Sequence, residues 1–320
     1  MKTLPTVVIT APFDSKIVAE LEGHCTVILA TPFEQSMSLA HSDHQRYLPQ
    51  ANIIVAELDV IDEDALALAP QLSLVISCRA MPVNVDLEAC ENHGVTVKTT
   101  PARNADATAD GAFGLLLSTL RRVGESEAWM REHQWSSEDV YYPYREFRGP
   151  VLNRRTLGII GGGAVGRRMA SRAQGFGMDV LIYDPFVSQE HLGDLGRLVE
   201  LKELMESADI VTVHAPLMDA TRNLIGAPEL ALMKPSAFFI NAGRAHIVEE
   251  QALRDVLESR SIAGAGLDVF WEEPLPLDHW LLRLDNVTLT PHIAGASDDV
   301  VSEHSRMAVA HIQEWLKAKA

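Results

Sequence analysis

Six residues, Gly161-Gly162-Gly163-Ala164-Val165-Gly166, constrain this chain more than any other stretch. They fit G-x-G-x-x-G on Gly161, Gly163 and Gly166, and Asp184 follows eighteen residues after the last glycine. An apolar run, Leu157 to Ile160, precedes the motif, and helical spacing through Met169, Ala170 and Ala173 follows it. Asp184 ends a second apolar run, Val180 to Tyr183. Strand, glycine turn, helix, strand and acid in that order are what a dinucleotide site requires. The first glycine permits the tight turn, the second lets the backbone approach a pyrophosphate, and the third lets helix and strand pack closely. The helix start at Ala164 and Val165 then offers free N–H groups and a positive dipole end to the phosphates. Asp184 can accept hydrogen bonds from a ribose diol and would repel a 2′-phosphate, so NAD(H) is expected in preference to NADP(H). A glycine-rich turn between any strand and helix is the alternative reading of the glycines alone. The flanking strands and the spaced acid weigh against it.

The motif sits in the middle of 320 residues, which is room for two ordinary domains. Before it, strands are expected at Thr6–Thr10, Thr26–Ala30, Asn52–Ala56, Leu72–Ser77 and Val95–Thr99. Helices are expected at Ser15–Leu21, His41–Tyr47, Asp62–Leu68 and Val85–Asn92. From Thr156 a second series reads as strands at Thr156–Gly161, Val180–Asp184, Ile210–His214, Ala237–Asn241, Ala263–Val269 and Val287–Thr290, closed by a helix from Asp298 to Lys317. Such alternation predicts an α/β fold of two parallel-sheet, Rossmann-like domains, the second binding the nucleotide. Between the blocks, Asn104–Arg122 reads as a helix too apolar to be exposed. After it, Trp129, Trp135, Tyr141, Tyr142 and Tyr144 crowd an irregular stretch, 129–150, which is either a packed loop or an oligomer arm.

Charge narrows the partners. Lys plus Arg number 27 against 44 Asp plus Glu, a net charge of −17, which argues against nucleic acid or an anionic membrane. An anionic substrate then needs a local basic group. Cys25, Cys78 and Cys90 match no zinc spacing, so no metal is expected, and they read as reduced thiols of a cytoplasmic protein. No apolar run is long enough to span a membrane, and the start of the chain shows no signal peptide.

Four segments in order resemble the D-isomer-specific 2-hydroxyacid dehydrogenases. They are Leu157 to Gly166, Asn241-Ala242-Gly243-Arg244-Ala245, Gly266-Leu267-Asp268-Val269-Phe270-Trp271-Glu272-Glu273-Pro274, and Thr290-Pro291-His292-Ile293-Ala294-Gly295. Asn104-Ala105 and the helix after it are similar to the family's crossover helix, so the likeness covers almost the whole chain. The chain looks similar to glyoxylate and hydroxypyruvate reductases and phosphoglycerate dehydrogenases, and no C-terminal regulatory domain of the kind some carry is expected after the final helix. The resemblance implies a discontinuous, flavodoxin-like substrate domain of residues 1–100 and 294–320. It implies an inserted NAD-binding domain of residues 101–293, bearing a dimerisation arm, and an active site in the cleft. The protein would be a homodimer acting on a small anionic 2-hydroxy or 2-oxo acid.

Hydride exchange with such an acid needs a cation for the carboxylate, a group that gives or takes the hydroxyl proton, and something that tunes that group. Arg244, at the end of an apolar strand, has the planar fork for the first task. His292 suits the second, because imidazole works in both directions near neutrality. Glu273 suits the third, since a carboxylate on the other ring nitrogen stabilises the imidazolium; family spacing selects it over Glu272. A glutamate there also speaks against formate dehydrogenase. The resemblance places His214, Ala215, Pro216, Ala242, Gly243 and Gly295 along the cofactor, with His292 reaching it too, and Asp268 near the nicotinamide amide. It places the substrate carboxylate on the backbone of Arg79-Ala80-Met81. That segment departs from the family's glycine-rich form, so Met81 would narrow the pocket or Arg79 would add a second positive charge. Ala245 and His246 depart more mildly, where glycine is usual after the arginine. Two other readings stay open: phosphite oxidation with the same arginine, glutamate and histidine, and an NAD-sensing, co-repressor-like binding protein.

Overall fold

A computed structural model describes residues 4–30, 41–132, 135 and 138–319. The chain forms two compact units, Met1–Asn104 with Ser297–Ala320, and Ala105–Ala296.

The first unit is built on β1 (Thr6–Ile9), β2 (Thr26–Leu29), β3 (Ile53–Ala56), β4 (Leu74–Ser77) and β5 (Thr96–Thr99). All pair in parallel in the order β2-β1-β3-β4-β5, the flavodoxin-like order. Ile53–Ala56 and Leu74–Ser77 are buried along their whole length, as central parallel strands must be when helices cover both faces. The helices are α1 (Ser15–Val18), α2 (His41–Tyr47), α3 (Glu63–Ala67) and α4 (Leu87–Asn92). Aspartates start three of them: Asp14, Asp62 and Asp86 accept from the N–H groups of Lys16, Ala65 and Ala89. The last helix, Asp298–Lys319, lays Ala308, Val309 and Ile312 against Val7, Ile9 and Ile76. Cys25, Cys78 and Cys90 are buried and unpaired, all in this unit.

The second unit opens with α5 (Ala105–Arg121), α6 (Val123–Glu132) and α7 (Tyr142–Glu146). Seven parallel strands follow: β6 (Thr156–Ile160), β7 (Asp179–Tyr183), β8 (Arg197–Leu198), β9 (Ile210–Val213), β10 (Phe238–Asn241), β11 (Gly264–Leu267) and β12 (Val287–Leu289). Their order is β12-β11-β10-β9-β6-β7-β8, with α8 (Ala164–Gly175), α9 (Gln189–Leu192), α10 (Leu201–Ser207), α11 (Ala227–Leu230) and α12 (Glu250–Glu258) as connections. The strand order reverses beside β6, which pairs with both β7 and β9, and in such sheets a crevice opens there at the carboxyl ends.

The expected strands form within a residue or two of their sequence bounds, and β8 and α9 are additions. The stretch 129–150 is less irregular than expected. Trp129 lies on α6, its ring 5.8 Å from Tyr142 and 5.9 Å from Phe147. Arg122, at φ 52, separates α6 from α5. The glutamates and Arg131 of Val123–Glu132 are good helix formers, and they outweigh the bulk of Trp129. Among the described residues no helix is long and apolar enough to cross a membrane.

Helix α5 lies close on β11 because Gly266 presents no side chain. A Cβ there would stand 2.5 Å from Thr119 Oγ1 and 3.0 Å from Leu115 Cγ. Gly266→Ala is therefore expected to destabilise the protein by about 1–3 kcal/mol through overpacking. Urea denaturation measures this, and an unchanged midpoint would contradict the close packing.

Candidate active site

Gly161 leaves β6 at φ 105, a left-handed backbone that favours glycine, and a Cβ there would lie 2.6 Å from Ala215 N. At Gly166 a Cβ would sit 1.9 Å from the Gly161 oxygen, so the turn closes only without side chains. Gly163 is different, with open space where its Cβ would be. The N–H groups of Gly163, Ala164 and Val165 donate to no acceptor among the described residues. Asp184 ends β7 and is held from both sides: Oδ2 accepts from Gly162 N and Oδ1 from Phe186 N, each at 2.8 Å. Beside it a cleft is lined by Gly161, Asp184, Phe186, Ala215, Pro216 and Met218.

His214 follows β9. Its Nε2 shares a 2.9 Å hydrogen bond with the Thr212 hydroxyl, while Nδ1 is enclosed without a partner, although one edge of the residue reaches solvent. Burial pushes its pKa down to about 4.

The end of β10 carries Arg244. Asn241, itself buried, builds the turn: its Oδ1 accepts from Gly243 N at 3.0 Å and its Nδ2 donates to the Arg244 oxygen at 3.2 Å. Buried Ala242 continues the strand, and a Cβ on Gly243 would stand 2.8 Å from the Val213 oxygen. The Arg244 side chain is exposed, with Nη1 donating to the Gly243 oxygen at 2.8 Å. Ala245 starts a 3-10 turn, Ala245–Ile247, and has no positive φ, so this backbone has no need of the family's usual glycine there.

Asp268 ends β11 almost wholly buried. Its Oδ1 accepts from the Thr290 hydroxyl at 2.6 Å and Ile293 N at 2.9 Å, and Oδ2 from Ala294 N at 2.8 Å. These three bonds hold the turn that presents His292 at φ 55. Helix α5 supports the same turn, since a Cβ on Gly111 would come within 2.5 Å of the Ala294 oxygen. Gly295 lies in the turn, which closes through Ala296 N on the Ile293 oxygen.

His292 Nδ1 donates to Glu273 Oε2 at 2.7 Å, and Glu273 Oε1 accepts from Phe270 N at 3.0 Å. The contact falls to Glu273; Glu272 is exposed and makes no hydrogen bond among the described residues. Among the described residues His292 Nε2 has no protein partner. Partial burial pushes the Glu273 carboxyl up, but the bonds from His292 and Phe270 and the charges of His292 and Arg244 outweigh it, so Glu273 titrates below the usual range. Arg244, Glu273 and His292 thus share one electrostatic environment on the second unit. Asn241 and Thr290, which position them, have no role in the sequence reading. Their signal was a polar residue ending an otherwise apolar strand.

On the first unit, Arg79, Ala80 and Met81 follow β4. Thr100 N donates to the Arg79 oxygen at 3.0 Å, whereas the N–H groups of Arg79, Ala80 and Met81 donate to nothing among the described residues. Met81 is 56% exposed. No cluster of metal-ligating side chains occurs among the described residues.

With this geometry in view, comparison with known proteins is specific. A family model described as "D-isomer specific 2-hydroxyacid dehydrogenase, NAD binding domain" matches residues 113–294. A glyoxylate reductase of Korarchaeum cryptofilum is 38% identical over 255 residues, covering 79% of this chain and 76% of its own. The glyoxylate reductase of Thermococcus litoralis is 38% identical over 268 residues, 83% of this chain and 81% of its own. Among solved structures, a D-lactate dehydrogenase of Aquifex aeolicus complexed with NAD and lactic acid superimposes with a TM-score of 0.72 at 27% identity, covering 98% of this chain and 96% of that one.

The buried imidazole of His214 sets a pH dependence. Its folded pKa is depressed to about 4 from an ordinary 6.5, so in that window the unfolded chain binds the extra proton. The stability it contributes is complete above the ordinary value and is lost as pH falls towards the folded value. Thermal melts of wild type and His214→Asn from neutral pH downward should show the wild type losing more stability over that window. Parallel losses would contradict the burial.

Proposed function

The chain belongs to the D-isomer-specific 2-hydroxyacid dehydrogenase family, NAD-dependent oxidoreductases of CH–OH groups, and we propose that it works chiefly as a reductase of small 2-oxo acids. The observation that carries this reading is the 2.7 Å bond from His292 Nδ1 to Glu273, which leaves Nε2 as the one ring nitrogen free to exchange a proton.

The cofactor's requirements fit the second unit. Three free N–H groups at the start of α8 suit a pyrophosphate, the open face of Gly163 leaves it room, and the cleft beside Asp184 suits an adenosine. The enclosed, unpartnered Nδ1 of His214 is a polar atom awaiting a ligand. When bound, the reduced nicotinamide supplies a hydride to C2 of the acid. The remaining work belongs to the chain. Arg244 would pair its fork with the carboxylate and draw electron density from the adjacent carbonyl. His292 would deliver a proton from Nε2 to the carbonyl oxygen, and Glu273, ionised and fixed by Phe270 N, would stabilise the imidazolium from the other side. Ala242, Gly243 and Gly295 would line the cofactor, with Asp268 fixing the turn beside it. The N–H groups of Arg79, Ala80 and Met81, which donate to nothing among the described residues, would suit a substrate carboxylate, as the resemblance implies.

Preference for NAD over NADP rests on Asp184, whose anchored carboxylate would repel a 2′-phosphate. A homodimer is supported by α6, which buries no side chain, and by exposed Met130, Tyr141 and Tyr144. Three unpaired thiols favour a cytoplasmic setting.

NADH oxidation with glyoxylate, hydroxypyruvate, pyruvate, 2-oxobutyrate and phenylpyruvate tests the reading. Turnover with none of them sinks it. His292→Ala should lower kcat by about 10²–10⁴-fold, the usual worth of a positioned general acid. Near-normal turnover would remove His292 as proton donor. Asp184→Ala should shift the ratio of kcat/KM for NADPH over NADH upward by about tenfold or more, and an unmoved ratio would dissociate Asp184 from cofactor choice.

A further inference from the structure

Helix α5 meets the turn that carries His292 along a bare stretch of backbone. Gly111 lies in the helix interior, and a Cβ there would stand 2.5 Å from the Ala294 oxygen, 2.6 Å from its Cα and 2.9 Å from its carbonyl carbon. All three atoms belong to the main chain, so no change of rotamer relieves the overlap. The same helix carries a second glycine, Gly114, which has nothing within 4 Å of where its Cβ would be. Inside a helix glycine is unfavourable relative to alanine, so each of these positions weakens α5 as a helix. At Gly114 an alanine would fit. At Gly111 the contact with Ala294 forbids it, and the two positions separate helix propensity from close approach.

Of the two elements in contact, the turn is the one that would yield. Helix α5 buries Ala109, Ala112, Phe113, Leu115 and Leu116 in a core shared with Leu157, Ile159, Met169 and Ala173. Gly266 already brings β11 up against Leu115 and Thr119. Such an interior is close-packed, and a helix pushed into it meets overlap on the far side. The turn stands at the surface, with Pro291, His292, Ile293 and Ala296 exposed and Ala294 buried. Ala294 cannot move alone. Its N–H donates to Asp268 Oδ2 at 2.8 Å, and the N–H of Ile293 donates to Oδ1 at 2.9 Å. Planar peptide units pass a shift of Ala294 back through Ile293 to His292, which already holds a φ of 55. Non-bonded carbon contacts lie at about 3.5–4.0 Å, so a methyl group at position 111 asks the turn to retreat by about 1 Å.

Resting on the reading that His292 delivers the proton in 2-oxo acid reduction, we propose that Gly111 is a positioning residue for His292. The bare helix backbone sets how deep the turn sits, and with it the angle at which the imidazole meets Glu273 and presents Nε2. The bond from Nδ1 to Glu273 is 2.7 Å long and directional, so a displaced ring loosens it. A displacement of about 1 Å caused by a change remote from the reacting atoms can cost about 10²-fold in rate. Gly111 touches neither reacting atoms nor Glu273; it acts through the backbone of Ala294.

The test compares wild type, Gly111→Ala, Gly114→Ala and the double variant. The first readout is kcat with saturating NADH and whichever 2-oxo acid the wild type reduces fastest. Gly111→Ala should lower it by about 10- to 100-fold, whereas Gly114→Ala, which meets open space on the same helix, should leave it unchanged. The second readout is the magnetic resonance of the His292 ring nitrogens in protein carrying isotope-labelled histidine, assigned by their loss in His292→Ala. The Nδ1 resonance should shift in Gly111→Ala as the bond to Glu273 loosens, and stay in place in Gly114→Ala. A purely structural loss would reduce the folded fraction without moving that resonance in the molecules that remain folded. The double variant sets the same overlap on a helix strengthened by alanine, so it stands in if Gly111→Ala does not fold, and it should reproduce both changes. An unchanged kcat, or a lowered kcat with the His292 nitrogens unmoved, overturns the proposal and leaves the reductase reading in place. If the wild type reduces no 2-oxo acid, the reductase reading fails, and the nitrogen resonances alone then decide whether Gly111 places the ring.

Discussion

The site on the second unit depends on one buried carboxylate. Asp268 takes a hydroxyl and two backbone N–H groups from a turn more than twenty residues away in sequence. A buried carboxylate needs such donors, since without them its charge would cost far more than the bonds return. The requirement works in both directions. The donors satisfy Asp268, and Asp268 fixes the backbone of Ile293 and Ala294, so His292 holds a φ of 55 that few histidines adopt. Once the backbone of His292 is fixed, the bond from Glu273 orients its ring. The exposed pair at the surface thus inherits its geometry from an interaction that never sees solvent.

The first unit solves a related problem with charges of opposite sign. Glu57, Arg103 and His304 come from a strand end, from the segment after β5 and from the last helix, and all three are largely enclosed. Burial pushes His304 down, and the charge of Arg103 adds to this, so the ring stays neutral and can accept from the arginine. Asp14 repeats the theme nearby, accepting from Ser302 Oγ and donating its N–H to Ser305 Oγ. The last helix is therefore joined to the sheet by polar bonds at its start and by Ala308, Val309 and Ile312 further along. Apolar packing sets how close it lies, and directional bonds set its register.

What could be read in advance follows from where the information resides. Runs such as Ile53–Ala56 and Phe238–Asn241 are apolar on both faces, so strand and burial were legible together. The two-residue edge strand Arg197–Leu198 carries no such run and exists only because Leu181 and Ile182 offer a ladder. In 129–150 the crowded aromatics point to an irregular stretch, whereas backbone propensity carries the helix of Val123–Glu132 through Trp129. At the site, Arg244, Glu273 and His292 stood out as side chains suited to the chemistry in a recognisable order. The tasks of Asn241 and Thr290 did not, because a polar residue ending an apolar strand marks a position without showing which turn it braces.

The three thiols have a consequence of their own. Cys25, Cys78 and Cys90 all belong to the first unit, all are enclosed, and burial drives Cys78 up to about 12. A thiol reacts as its thiolate, so modification requires the surrounding sheet to open first. The second unit contributes no cysteine to confuse the signal. The protein thus carries a built-in clock for the breathing of one half of itself, in which the pace of alkylation counts openings of the five-stranded sheet while the seven-stranded sheet stays silent.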